Sequence, residues 1–200
     1  MKKNSIIFVC LTLLLMVLAL LDTCSGSVWI SPHRFVDIAN HQSPIAHILL
    51  QLRLPKMLTA ILAGASLSVA GLMMQTLFRN PLAGPYILGV SSGASLGVAV
   101  VTMCGVALGS SGLISGAAIA GSVLVMLLVM LIAKRIQSNV TLLIVGMMVG
   151  NIAGALVNMI QNFANPDSLK LFVVWTLGSL GGVGWNELPT LAAGIAMAFV

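Results

Sequence analysis

Charge is what this chain most lacks. Only 6% of its 200 residues are Asp, Glu, Lys or Arg, and just four of them are acids. A soluble domain of this length needs a polar surface to meet water, and a composition that is 59% hydrophobic cannot supply one. Aromatic residues are few at 5%, and the basic residues nowhere gather with them on one face, which removes nucleic acid as a partner. Cysteine is scarce as well. Cys10, Cys24 and Cys104 lie far apart with no metal-ligand spacing, so no disulfide, no metal and no other cofactor is expected. The G-x-x-x-x-G-K-[ST] pattern is missing too, so the chain has no P-loop for ATP and does not read as an enzyme in its own right.

What is present is a series of long apolar runs, roughly 6–21, 57–78, 86–108, 112–133 and 140–163, with a further run over 188–200. A hydrocarbon core about 30 Å thick is crossed by about 20 helical residues, so these read as transmembrane helices. They are continuously apolar instead of alternating, which argues for helices over a barrel. The expected fold class is an all-α polytopic membrane protein, with residues 1–200 in a single transmembrane domain of about six spans. Lys2 and Lys3 before the first run could suit a signal peptide, but Asp22-Thr23-Cys24-Ser25-Gly26 offers no small-x-small cleavage site, so the run reads as a retained span.

Lys and Arg set the orientation. With the N-terminus in the cytoplasm, the inner segments hold Lys2, Lys3, Arg79, Lys134 and Arg135 and no acid. The outer segments then hold Arg34, Arg53, Lys56 and Lys170 together with Asp22, Asp37, Asp167 and Glu187. The outer 22–56 segment carries His33, His41 and His47, whose spacing fits a surface loop better than a metal site. Residues 45–52 read as a short amphipathic helix at the interface. The apolar piece 169–177 is too short to span and reads as re-entrant or interfacial.

Polar groups inside the spans are confined to stripes. At about 100° per residue, Gly64, Ser68, Gly71 and Gln75 share an arc of roughly 60° on the second span. Asn151, Gly154, Asn158 and Gln161 share one of roughly 80° on the fifth, beside the ridge Gly146, Gly150 and Gly154. Small residues let helices approach closely, and buried amides bond across helices, which is the ordinary reading of any one of them. A whole amide stripe points instead to a passage, with Asn151 and Asn158 as its strongest candidates. No carboxylate or basic group lies inside the five runs, although ion coupling needs such groups at membrane depth. Gly89-Val90-Ser91-Ser92-Gly93 satisfies a nucleophile-elbow pattern, but glycines recur at Gly93 and Gly97 and no histidine is on that side, so helix packing explains it better.

The most informative stretch combines these features. Arg53, Pro55 and Lys56 are followed by Gly64, Ala65, Leu67, Gly71 and Gln75, then by Asn80, Pro81, Leu82, Ala83 and Pro85, then by Leu88, Gly89, Gly93 and Ala94. A second block, Trp175, Gly178, Ser179, Leu180 and Trp185, lies well downstream. The pattern resembles the permease subunits of the FecCD family of ABC importers, which carry iron-siderophores, haem or cobalamin. Their signature runs R-x-P-R, G-A-x-L-x-x-x-G-x-x-x-Q, N-P-L-A-x-P and L-G-x-x-x-G-A, and Lys56 replaces its second Arg.

The resemblance implies a ten-helix type II importer permease of which this chain supplies the first part, and a homodimer in the bacterial plasma (inner) membrane. It implies ABC ATPase subunits inside and a periplasmic substrate-binding protein outside. Arg53 and Lys56 would receive that protein's acidic groups, the fifth span would line the path together with Gln75, and Asn80 and Leu82 would narrow the cytoplasmic gate. The loop before the fifth span, Asn139-Val140-Thr141, departs from the small hydroxyl pair often found beside that gate. Two other functions compete. An ion-coupled secondary transporter predicts intramembrane carboxylates and uptake without an ATPase. An inactive or regulatory membrane fragment predicts no ATPase partner at all.

Overall fold

A computed structural model describes residues 2–26, 44–105, 111–136 and 138–198. His33 and His41 lie outside the described residues. The described secondary structure is helical: α1 Lys2–Cys24, α2 Pro44–His47, a π-helical turn Ile48–Arg53, α3 Leu54–Phe78 and α4 Val90–Met103, then α5 Ser111–Ala133, α6 Asn139–Gln161, α7 Pro166–Leu177 and α8 Leu188–Ala198. Among the described residues four stretches are long and apolar enough to cross a membrane: Asn4–Cys24, Pro44–Phe78, Gly112–Ala133 and Asn139–Gln161. Val90–Met103 and Leu188–Met197 are shorter apolar helices.

Two local readings of the sequence are corrected. The third run was expected to be helical from residue 86, but helix begins at Val90 because the chain turns through Pro85–Leu88 and Gly89 takes a left-handed φ of 73°. L-residues with a side chain adopt that conformation only at a cost, so glycine sets where α4 can start. The 45–52 segment is not a separate interfacial helix either, because it runs on into α3 as one continuous helix, Pro44–Phe78. Pro55 lacks an N–H and crowds the carbonyl four residues back. The turn before it widens to π-helix, and the Leu54 amide reaches back five residues to the Leu49 carbonyl.

The chain forms two compact units. The first comprises Met1–Ser66 and Ser179–Val200, the second Leu67–Gly178. In the second unit α4 packs against α5, α6 and α7. One cluster of buried side chains joins Phe78, Ala83, Leu88, Val125 and Val129. Another joins Val98, Ala99, Val157 and Phe172, so α7 does more than skirt the surface and contributes Phe172 to the core. In the first unit α1 leaves its apolar side chains exposed from Ile6 to Leu21.

Candidate functional site

Within the first unit, the end of α1 meets the π-helical turn. Arg53, which the resemblance assigns to docking, is only 9% exposed. Its guanidinium donates from Nη1 to the Thr23 carbonyl at 2.6 Å. The last carbonyls of a helix have no intrahelical donor and carry the negative end of its dipole, so a cation placed there is favoured twice. Gly26 sits against this group: a Cβ there would lie 2.7 Å from Arg53 Nη2. Lys56 behaves differently. It is about half exposed, and its Nζ stands 3.9 Å from Asp22 Oδ1, a long pair in contact with solvent. The two flank an open cleft of about 320 Å³, also lined by Ser25, Ile48 and Leu52. Trp185 closes onto the same turn, its indole N–H donating to the Leu50 carbonyl at 2.8 Å. Thus the matched basic pair is divided, with Arg53 holding structure and Lys56 facing outward.

Within the second unit, α3 ends in a left-handed residue, Arg79 at φ 48°. The Arg79 amide bonds to the Thr76 carbonyl and the Asn80 amide to the Gln75 carbonyl, the paired closure that ends many helices. Asn80 then folds its side chain back to accept from the Leu82 amide at 2.9 Å, which holds the Pro81 turn. Leu82 stands 87% exposed at its tip. Asn139, on the far side of the sequence, donates from its amide to the Leu77 carbonyl at 2.7 Å.

The three amides Gln75, Asn151 and Asn158 are all exposed on helices that are otherwise apolar. The main-chain carbonyl of Asn158 accepts from Asn162 Nδ2 at the end of the same helix. A polar group on a span costs several kcal/mol against hydrocarbon, so these faces demand protein or water.

The glycines sort into two groups. Gly89, Gly93, Gly97, Gly146 and Gly150 are contact points. A Cβ on Gly89 would lie 2.8 Å from Gly150, one on Gly93 2.6 Å from the Gly121 carbonyl, and one on Gly146 3.0 Å from Leu88. Gly97 meets the Ala117 carbonyl. A Cβ on Gly64 or Gly154, by contrast, would meet no other part of the molecule within 4 Å, and one on Gly71 only Pro85 at 3.8 Å. The sequence reading missed the α5 side of this contact, although Ala117-x-x-x-Gly121 is itself a small-residue pair at helical spacing. Ser122 Oγ adds a bond to the Val90 carbonyl at 3.4 Å.

Among the described residues no three His, Cys, Asp or Glu side chains gather as metal ligands would. Cys10 and Cys104 are exposed free thiols and Cys24 a buried one.

Similarity to known proteins agrees with this arrangement. The chain is 34% identical over 197 residues to the vitamin B12 import system permease protein BtuC of Escherichia coli O157:H7 (strain EC4115 / EHEC), covering 98% of this chain and 59% of that relative. The namesake from Escherichia coli O139:H28 (strain E24377A / ETEC) matches at 34% over 187 residues, covering 93% and 56%. A solved structure described as an inward-facing conformation of an ABC transporter assigned to the metal-chelate type superposes with a TM-score of 0.81 at 28% identity, over 97% of this chain and 59% of that one. The chain therefore spans a little over half the length of these relatives. Residues 13–200 match the FecCD transport family along nearly the whole chain, and the chain belongs to that family.

Proposed function

We propose that this chain is part of the permease subunit of an ATP-driven importer for a bulky chelate, of the iron-siderophore, haem or cobalamin kind. The observation that carries this reading is the family match over residues 13–200, which takes in both sequence blocks, from Arg53 to Ala94 and from Trp175 to Trp185. The relatives, one named for vitamin B12 import and one for metal-chelate transport, support a cargo of that class.

On this reading residues 1–200 belong to one transmembrane domain in a bacterial inner membrane, with the N-terminus cytoplasmic, and two copies form the passage. A separate ABC ATPase supplies the energy, since no P-loop occurs in these residues. The binding protein docks at the Arg53 end of α3. Lys56, half exposed, offers the accessible charge there, and Arg53 sets the shape of the cleft from beneath. Gln75, Asn151 and Asn158 line the passage, where exposed amides in apolar helices can meet water or cargo without gripping it. Asn80 and Leu82 narrow its inner end, where the exposed Leu82 side chain supplies an apolar constriction.

The test is uptake by the full-length protein reconstituted with its ATPase and binding protein. ATP-dependent accumulation of cyanocobalamin or of a ferric siderophore supports the reading. Failure to co-purify with any ATPase, or uptake that persists without ATP, overturns it.

A further inference from the structure

The Asn80 turn is held by a bond that its own helix cannot make. The last four carbonyls of a helix have no intrahelical donor. At the end of α3 two of them, those of Gln75 and Thr76, are closed by the Asn80 and Arg79 amides. Leu77 comes next. In a continuing helix its carbonyl would accept from residue 81, but residue 81 is a proline and has no N–H. The Phe78 carbonyl would look to the Leu82 amide, which is engaged by Asn80 Oδ1. The donor that Leu77 lacks comes from Asn139, whose Nδ2 lies 2.7 Å from its carbonyl oxygen.

Asn139 is free for this because its neighbour does the local work. Ser138 is the cap of α6: its hydroxyl accepts from the Thr141 amide at 3.4 Å, and its carbonyl accepts from the Leu142 amide at 3.0 Å. Asn139, the first residue of α6, can therefore reach across to α3 at no loss to its own helix. Both helix ends, and the Asn80–Leu82 turn between them in the chain, lie in the same compact unit.

We propose that Asn139 is a positioning residue that clasps the end of α3 to the start of α6, so that the turn carrying Asn80 and Leu82 moves with both helices as one body. The inference rests on the gate reading of that turn and deepens it: opening would displace this whole piece and would not unfold the turn from α3. It also accounts for an amide standing at 139, where a short hydroxyl side chain would not reach as far.

Hydrogen exchange on the full-length protein in lipid nanodiscs tests the clasp. The two reporters are peptides covering 75–80 and 138–142, which contain the Arg79, Asn80 and Leu142 amides. Asn139→Asp keeps the shape but has no donor, so it and Asn139→Ala should both raise exchange in both peptides, by about fivefold for a net hydrogen bond of ordinary strength. Asn139→Gln, which retains a donor, should recover part of the protection. Unchanged exchange in Asn139→Asp, or a rise confined to 138–142, overturns the clasp. If both peptides loosen while chelate uptake stays at the wild-type rate, the clasp stands and the gate role of Asn80 and Leu82 falls.

Discussion

The Arg53 end of the first unit and the α4–α5–α6 contact of the second are held together by opposite means. The first relies on a charge: one guanidinium serving a helix end, beside a lysine left in solvent. The second relies on missing atoms: Gly89, Gly93, Gly97, Gly121, Gly146 and Gly150 let backbones touch where any Cβ would intrude. The difference teaches which changes each can bear. A charge clamp tolerates rearrangement at moderate cost, whereas a backbone contact has no side chain that can move aside.

The largest effect should follow from filling that contact. Gly97→Val would drive a side chain into the Ala117 carbonyl and should destabilise the protein by about 3 kcal/mol, read as a fall in the unfolding midpoint in detergent. Gly154→Ala is the matched control. With nothing within 4 Å, it should be neutral or stabilise the helix by up to about 1 kcal/mol. Equal losses in the two variants would dissolve the distinction between packed and open glycines. Next comes Arg53→Ala, which leaves the Thr23 carbonyl without its charged donor and should cost about 2 kcal/mol in the same measurement. Arg53→Lys should recover only part of this, because a lysine lacks the planar fork.

Smaller still is Asn158→Leu. Its side chain is exposed, so the unfolding midpoint should move by less than the equivalent of about 0.5 kcal/mol, while chelate uptake should fall if the α6 face lines the path. A large stability loss with uptake per folded molecule intact would make Asn158 a packing residue. The smallest change is expected from Lys56→Ala. Its 3.9 Å pair with Asp22 is solvent-screened and should contribute under about 0.5 kcal/mol. If Lys56 is the docking charge, its loss should lower binding-protein affinity measured at low salt, and the effect should shrink as salt is added.

Much of the helical layout was legible in the sequence, because continuous apolar runs admit few other structures in a bilayer. The boundaries at Phe78 and Ala133 follow from Pro81 and from the Lys134-Arg135 pair that comes after α5. The start of α4 was less legible, since a left-handed Gly89 is a property of the turn and not of composition. At the candidate site the glycine ridge could be read from spacing on α4 and α6, and its α5 half could have been. Bonds to backbone carbonyls could not. Arg53 to Thr23 and Asn139 to Leu77 join positions 30 and 62 residues apart, and no periodicity in the chain announces which main-chain oxygen a side chain will find.

The π-helical turn Ile48–Arg53 has a consequence of its own. Such a turn takes up one surplus residue inside a helix that is otherwise regularly wound on both sides. Excising one residue from it would let regular winding resume with α2 and α3 close to their present phase, whereas adding one to the regular winding of α3 just after it would swing α2 through about 100° about the common axis. Ala46 and Leu49 would surrender their sheltered side, and the Leu50 oxygen would swing away from the Trp185 indole. The segment can therefore lose its surplus residue more cheaply than α3 can gain one, because only the gain carries Ala46, Leu49 and Leu50 off their neighbours.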